Sequence, residues 1–172
     1  SLTDTSSQTL INQVNTASIA LDRLRQAKIS LNTAPIYYPL PQKGRISSPF
    51  GPRKDPFGNT RAFHSGIDYP APRGTSITSV GAGTVLFAGI RNGYGKFVEI
   101  DHGGGIITRY AHMSKILVQT GQQIGAGVPV GEVGSTGRST GPHLHVEVRR
   151  DNVAVNPLSF FALEEKLSIF IQ

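Results

Sequence analysis

The chain has 172 residues, enough for one domain plus an extension, and its 38% hydrophobic and 16% charged content excludes a disordered polymer. A formal charge of +6 favours polyanionic partners, but Lys and Arg are scattered and Trp is absent, so no nucleic-acid partner is expected. No cysteine is present, which excludes disulfides and thiolate metal sites, and no stretch reaches the roughly 20 apolar residues of a membrane span.

Residues 1–9 are polar and rich in Ser and Thr, and are expected to fray. Leu10, Val14, Ala17, Leu21, Leu24 and Leu31 then recur at steps of mostly three and four, with Lys28 interrupting the seam. This spacing predicts an amphipathic helix from about Leu10 to Ile29 within an extension spanning residues 1–34. Alone in water such a helix is marginal, so its apolar stripe should dock on its own domain, pair with a second copy or meet a protein partner. Pro35, Pro39 and Pro41 end it and mark residues 35–44 as a linker.

From Arg45 the texture changes. Twenty glycines and eleven prolines in the whole chain favour turns, and they punctuate short β-branched runs. Thr75–Val80, Gly83–Ile90, Lys96–Asp101, Ile106–His112, Val130–Val133 and His143–Arg149 read as strands, making residues 45–160 a mainly antiparallel β domain. The tail, residues 161–172, continues a stretch from Pro157 to Ile171 that reads as a short helix or an apolar strap over the core.

Five histidines are the chemically distinctive residues. His143 and His145 lie two apart on a strand, so both point to one face and Leu144 to the other. Two imidazoles on one face are costly to bury without partners. His64 and Asp68 have helical spacing, but Gly66, Pro70, Pro72 and Gly74 argue for an extended turn entering a strand. Strict alternation along Ile106–His112 would put Thr108, Tyr110 and His112 on one face, with Tyr110 beside any site that His112 serves. His102, in the glycine-rich stretch 101–105, reads as structural. Glu147 shares the face of His143 and His145 and either orients an imidazole or forms a surface ion pair.

Taken together, His64-x-x-x-Asp68, Tyr110-Ala111-His112 and Gly141-Pro142-His143-Leu144-His145 resemble the lysostaphin-like (LytM-type) zinc metallopeptidases. Ser48-Pro49-Phe50-Gly51, Gly93-Tyr94-Gly95 and Gly134-Ser135-Thr136-Gly137 agree with that resemblance, which covers about Arg45 to Phe160. The resemblance implies a compact, sandwich-like antiparallel β domain with one Zn2+ held by His64, Asp68 and His145. It makes His112 and His143 the catalytic pair, and it implies a groove lined near Phe63, Tyr94, Ser139 and Thr140. Three protein ligands would leave zinc a free position, as in catalytic sites, whereas a structural zinc usually has four. No H-E-x-x-H motif supplies a glutamate base, so the two remaining histidines are the proton-transfer candidates.

The resemblance further implies a peptidoglycan endopeptidase of the cell envelope, periplasmic or secreted, although these residues include no signal peptide. Family members that cut glycine bridges tend to carry a tyrosine in the loop before the first zinc histidine, and Phe50–Phe63 has none. Lys54-Asp55-Pro56-Phe57-Gly58 resembles the envelope enzymes of Gram-negative bacteria, which points to D,D-endopeptidase activity on cross-links, with glycine cross-bridges as the alternative substrate. The rival reading is a non-catalytic or self-inhibited scaffold of the same fold, with the N-terminal α-helix of the 1–34 extension as a candidate plug.

Overall fold

The computed structural model describes residues 2–161, and the chain divides into two compact units, Ser1–Asn32 and Thr33–Gln172. The first is built from helix α1 (Leu2–Thr33). It begins earlier than expected, because Ser and Thr are mediocre helix formers but do not break a helix, and no Gly or Pro occurs before Pro35. Leu10, Val14, Leu21 and Leu24 are each at least half exposed.

The second unit carries twelve strands among the described residues. They are β1 (Gly51–Lys54), β2 (Arg61–His64), β3 (Ile67–Pro70), β4 (Ser76–Thr78), β5 (Gly83–Arg91) and β6 (Gly95–Asp101). The others are β7 (Ile106–Met113), β8 (Lys115–Ile116), β9 (Gln123–Ile124), β10 (Pro129–Glu132), β11 (His143–Arg150) and β12 (Val153–Val155). The main antiparallel sheet runs β12-β11-β7-β6-β5-β9, with β3 also paired to β11. A small sheet β4-β10-β8 and the hairpin β1-β2 complete the unit.

Alternation along β11 explains the layering. Leu144, Val146 and Val148 enter one core with Ile77 of β4 and Val130 of β10. His143, His145 and Glu147 take the opposite face. The expected linker belongs to this unit: Ile36 and Leu40 are buried, Tyr37 N–H donates to the Val80 carbonyl, and Thr78 N–H donates to that of Pro39. Proline content marks the end of the helix but cannot reveal that the intervening apolar residues fill the core. A helical turn follows Pro157 and buries Phe161, while residues 162–172 of the expected tail lie outside the described residues.

Candidate metal centre

Register assembles the centre. In the β3–β11 ladder Asp68 lies directly opposite His145, so their side chains share a face. His64 ends β2, and Ser65-Gly66 turns the chain into β3 against β11. Gly66 is required there, because a Cβ would collide with the Val146 carbonyl oxygen and the His145 ring. His64 Nε2 lies 3.1 Å from Asp68 Oδ1 and 3.1 Å from His145 Nδ1, which is itself 2.8 Å from the same Oδ1. All three residues are buried.

Hydrogen bonds at the far side of each ring fix which nitrogen faces inward. His64 Nδ1–H donates to the Pro49 carbonyl at 2.8 Å, leaving the Nε2 lone pair for the centre. His145 Nε2–H donates to Glu147 Oε1 at 3.2 Å, leaving Nδ1. His112 Nδ1–H donates to the Thr136 carbonyl and His143 Nδ1–H to that of Gly141, each at 2.8 Å, so both present Nε2. His143 Nε2 is 3.8 Å from Asp68 Oδ1, and its ring centroid is 4.8 Å from that of His112.

Two imidazole lone pairs and a carboxylate converging within 4.8 Å repel one another unless a cation lies among them, which makes this donor set a fit for a divalent metal ion. The local field agrees. Burial pushes the Asp68 carboxyl up, but in the metal-free pocket, where a proton takes the cation's place between ring and carboxylate, hydrogen bonding to His145 and His64 outweighs it and holds the carboxyl well below the usual carboxylate range. Burial alone would push His145 down, yet hydrogen bonds to Asp68 and Glu147 prevail and raise it to about 9, so the metal-free pocket already favours positive charge. His112 is lowered to about 4, chiefly by burial, and stands neutral.

Glu147 is fully buried, so it is no surface ion pair. Its Oε1 accepts from Ser65 at 2.5 Å, Tyr94 at 2.8 Å and His145, and its Oε2 accepts from Arg149 at 2.9 Å. Arg109 adds an ionic contact at 3.5 Å. Burial raises this carboxyl, but the donors, His145 foremost, outweigh it and hold it at about 2.

Alternation failed at His112. Tyr110 opposes Val98, but Met113 opposes Lys96, so Ala111 and His112 together face the single residue Phe97. This bulge, with His112 at φ 58°, turns the imidazole out of the core face that Tyr110 occupies. Tyr110 is therefore not beside the site: its hydroxyl accepts from Val80 N–H and lies 3.1 Å from Thr108 Oγ1 inside the core. His102 joins that core network, donating to the Ala82 carbonyl and accepting from Thr108.

A cavity of about 600 Å³ opens over the centre. Tyr94, Ser139 and Thr140 line it, with His112 and His143. Phe63 does not. Next to the inward His64 on a four-residue strand, it points to the other side of the hairpin, is 60% exposed and packs edge-on against Phe50 at 5.1 Å. Arg53, Phe57 and Arg138, which sequence reasoning did not single out, also line the cavity. Arg138 crosses to the β1–β2 loop, where it binds both carboxylate oxygens of Asp55 at 2.8 and 2.9 Å and lies over the Phe57 ring. The alternation that puts Arg53 on the His64 side of β1 was the one available signal, and a four-residue strand carries it weakly.

The profile of peptidase family M23 matches residues 62–157. DD-carboxypeptidase/endopeptidase Mpg of Neisseria meningitidis is 46% identical over 137 residues, covering 80% of this chain and 30% of its own length. The chain thus spans less than a third of that curated relative. A zinc-containing peptidase from Vibrio cholerae superposes with a TM-score of 0.64 at 38% identity, over 70% of this chain and 38% of the other. The catalytic domain of the antimicrobial peptidase lysostaphin from Staphylococcus simulans gives 0.63 at 29% identity, over 69% and 92%.

Proposed function

The chain belongs to peptidase family M23, and from that premise we propose that it is a zinc-dependent D,D-endopeptidase acting on peptidoglycan cross-links in the cell envelope. The observation that carries this reading is the inward convergence of His64 Nε2, His145 Nδ1 and Asp68 Oδ1 at the floor of a cavity also faced by His112 and His143. The name of the Neisseria relative, a DD-carboxypeptidase/endopeptidase, supports the bond class, and the Vibrio zinc peptidase supports the metal.

In this reading His64, Asp68 and His145 hold the ion. Zinc supplies Lewis acidity there, favouring a water-derived nucleophile near neutral pH and a polarised carbonyl. His112 and His143 share the proton work. Each donates its Nδ1–H in a hydrogen bond to a backbone carbonyl, so each accepts a proton at Nε2 and, once protonated, donates from the same atom. Hydrolysis consumes one water: the scissile C–N bond breaks, hydroxyl joins the acyl carbon, and a proton reaches the departing amine. Glu147 acts through His145, holding its tautomer.

Mass spectrometry of digests from purified sacculi, one set with D-alanyl–diamino acid cross-links and one with glycine bridges, tests the proposal. The first set should release monomers, each cut adding one water. Cleavage of glycine bridges alone would overturn the bond assignment. A zinc-loaded protein that cuts neither would favour the scaffold reading.

A further inference from the structure

We propose that Arg53 binds a free α-carboxylate on the residue that leaves with the amine, and that this contact selects peptides whose cut bond is followed by such a group. The inference rests on the peptidase reading above and names the recognition chemistry of that same site.

Arg53 lies on β1, where pairing with Ala62 puts it on the side of the hairpin shared by Gly51 and the inward His64. It lines the cavity, and its side chain is 31% exposed. Its nearest ionic neighbour is Asp68 Oδ2 at 3.8 Å, too long for a hydrogen bond. Among the described residues its guanidinium meets no hydrogen-bond acceptor. Arg138 on the same cavity is different, since its charge is already paired, Nη2 bonding both carboxylate oxygens of Asp55, and its plane lies over Phe57.

A permanently charged guanidinium beside a centre suited to a divalent cation is an unfavourable pairing. A carboxylate entering between them relieves it, and the guanidinium fork is shaped to accept one. The peptidoglycan bonds in question supply that carboxylate. In D-alanyl–D-alanine termini and in D-alanyl cross-links to the D-centre of a diamino acid, the amine-bearing carbon also carries a free carboxylate. That carboxyl carbon lies only about 2.5 Å from the scissile nitrogen. An internal glycine bridge offers none.

The test compares two cross-linked dimers that differ only in whether this carboxylate is free or converted to its amide. The zinc-loaded protein should prefer the free acid by about ten- to a hundredfold in kcat/KM, mainly through KM. Arg53→Gln should erase the preference by slowing only the free-acid dimer, and Arg53→Lys should keep part of it. A second readout is calorimetric binding of the uncleaved free-acid dimer to zinc-loaded His112→Ala protein. Adding Arg53→Gln should weaken that binding about tenfold or more with zinc content unchanged. A preference that survives Arg53→Gln overturns the proposal. So does an equal loss on both dimers, which would mark Arg53 as a support for Asp68. If the unaltered protein cuts neither dimer, the peptidase reading fails, while the binding comparison still decides the role of Arg53.

Discussion

Glu147 accepts the Nε2 proton of His145 at 3.2 Å, and that single contact turns the opposite nitrogen of the ring toward Asp68. Two residues apart on β11, the pair uses the alternation of one strand to set both a metal-facing atom and its support. Glu147→Gln keeps the shape but removes the charge that fixes the tautomer. Zinc affinity, measured by competition with a chromophoric chelator, should fall about 10- to 100-fold. Unchanged affinity would detach Glu147 from the centre.

His112→Ala should leave zinc content close to one per chain and reduce turnover by about 100-fold or more, because in the proposed mechanism the ring transfers protons and does not ligate the ion. The comparison is metal analysis beside the hydrolysis rate of a purified cross-linked dimer. Near-normal turnover would remove His112 from the mechanism.

Gly66→Ala forces a methyl group against the Val146 carbonyl oxygen and the His145 ring. A cost of about 1–3 kcal/mol is expected, read from the urea midpoint of the metal-free protein. An unperturbed midpoint would mean that the turn between β2 and β3 relaxes freely.

His102 titrates in the core. Burial lowers its pKa, and the Ala82 carbonyl only partly opposes this. The unfolded chain therefore takes up this proton first, starting near its ordinary pKa of about 6.5. The stability its neutral form provides is fully present above that pH and is lost as pH falls toward the depressed folded value. His102→Gln cannot titrate, so the difference in unfolding free energy between the unaltered protein and the variant should shrink below about pH 6.5. A pH-independent difference would contradict this.

The strand pattern was readable because it depends on short-range rules, whereas the set His64, Asp68 and His145 was legible only through the resemblance of three ordered motifs to a known family. Period-two alternation orients His143, Leu144 and His145, and Gly66 with Pro70 rules out a helix between His64 and Asp68. What escaped depends on pairing between distant strands. The bulge at His112 exists only because Phe97 opposes two residues, and it reverses the face that alternation assigns. The burial of Glu147 follows from Ser65, Tyr94 and Arg109 arriving from three other segments, with Arg149 adding a bond from β11 itself. The resemblance implied a groove lined near Phe63, yet neighbours on a strand point apart, and His64 is the one that faces inward.

The most direct measurement is zinc per chain, by inductively coupled plasma mass spectrometry, in the unaltered protein and in His64→Ala, Asp68→Ala and His145→Ala, each checked for folding by circular dichroism. One zinc per chain in the first, with zinc and peptidase activity lost together in the folded variants, is the predicted result. Stoichiometric zinc retained after loss of any of the three side chains would contradict the account.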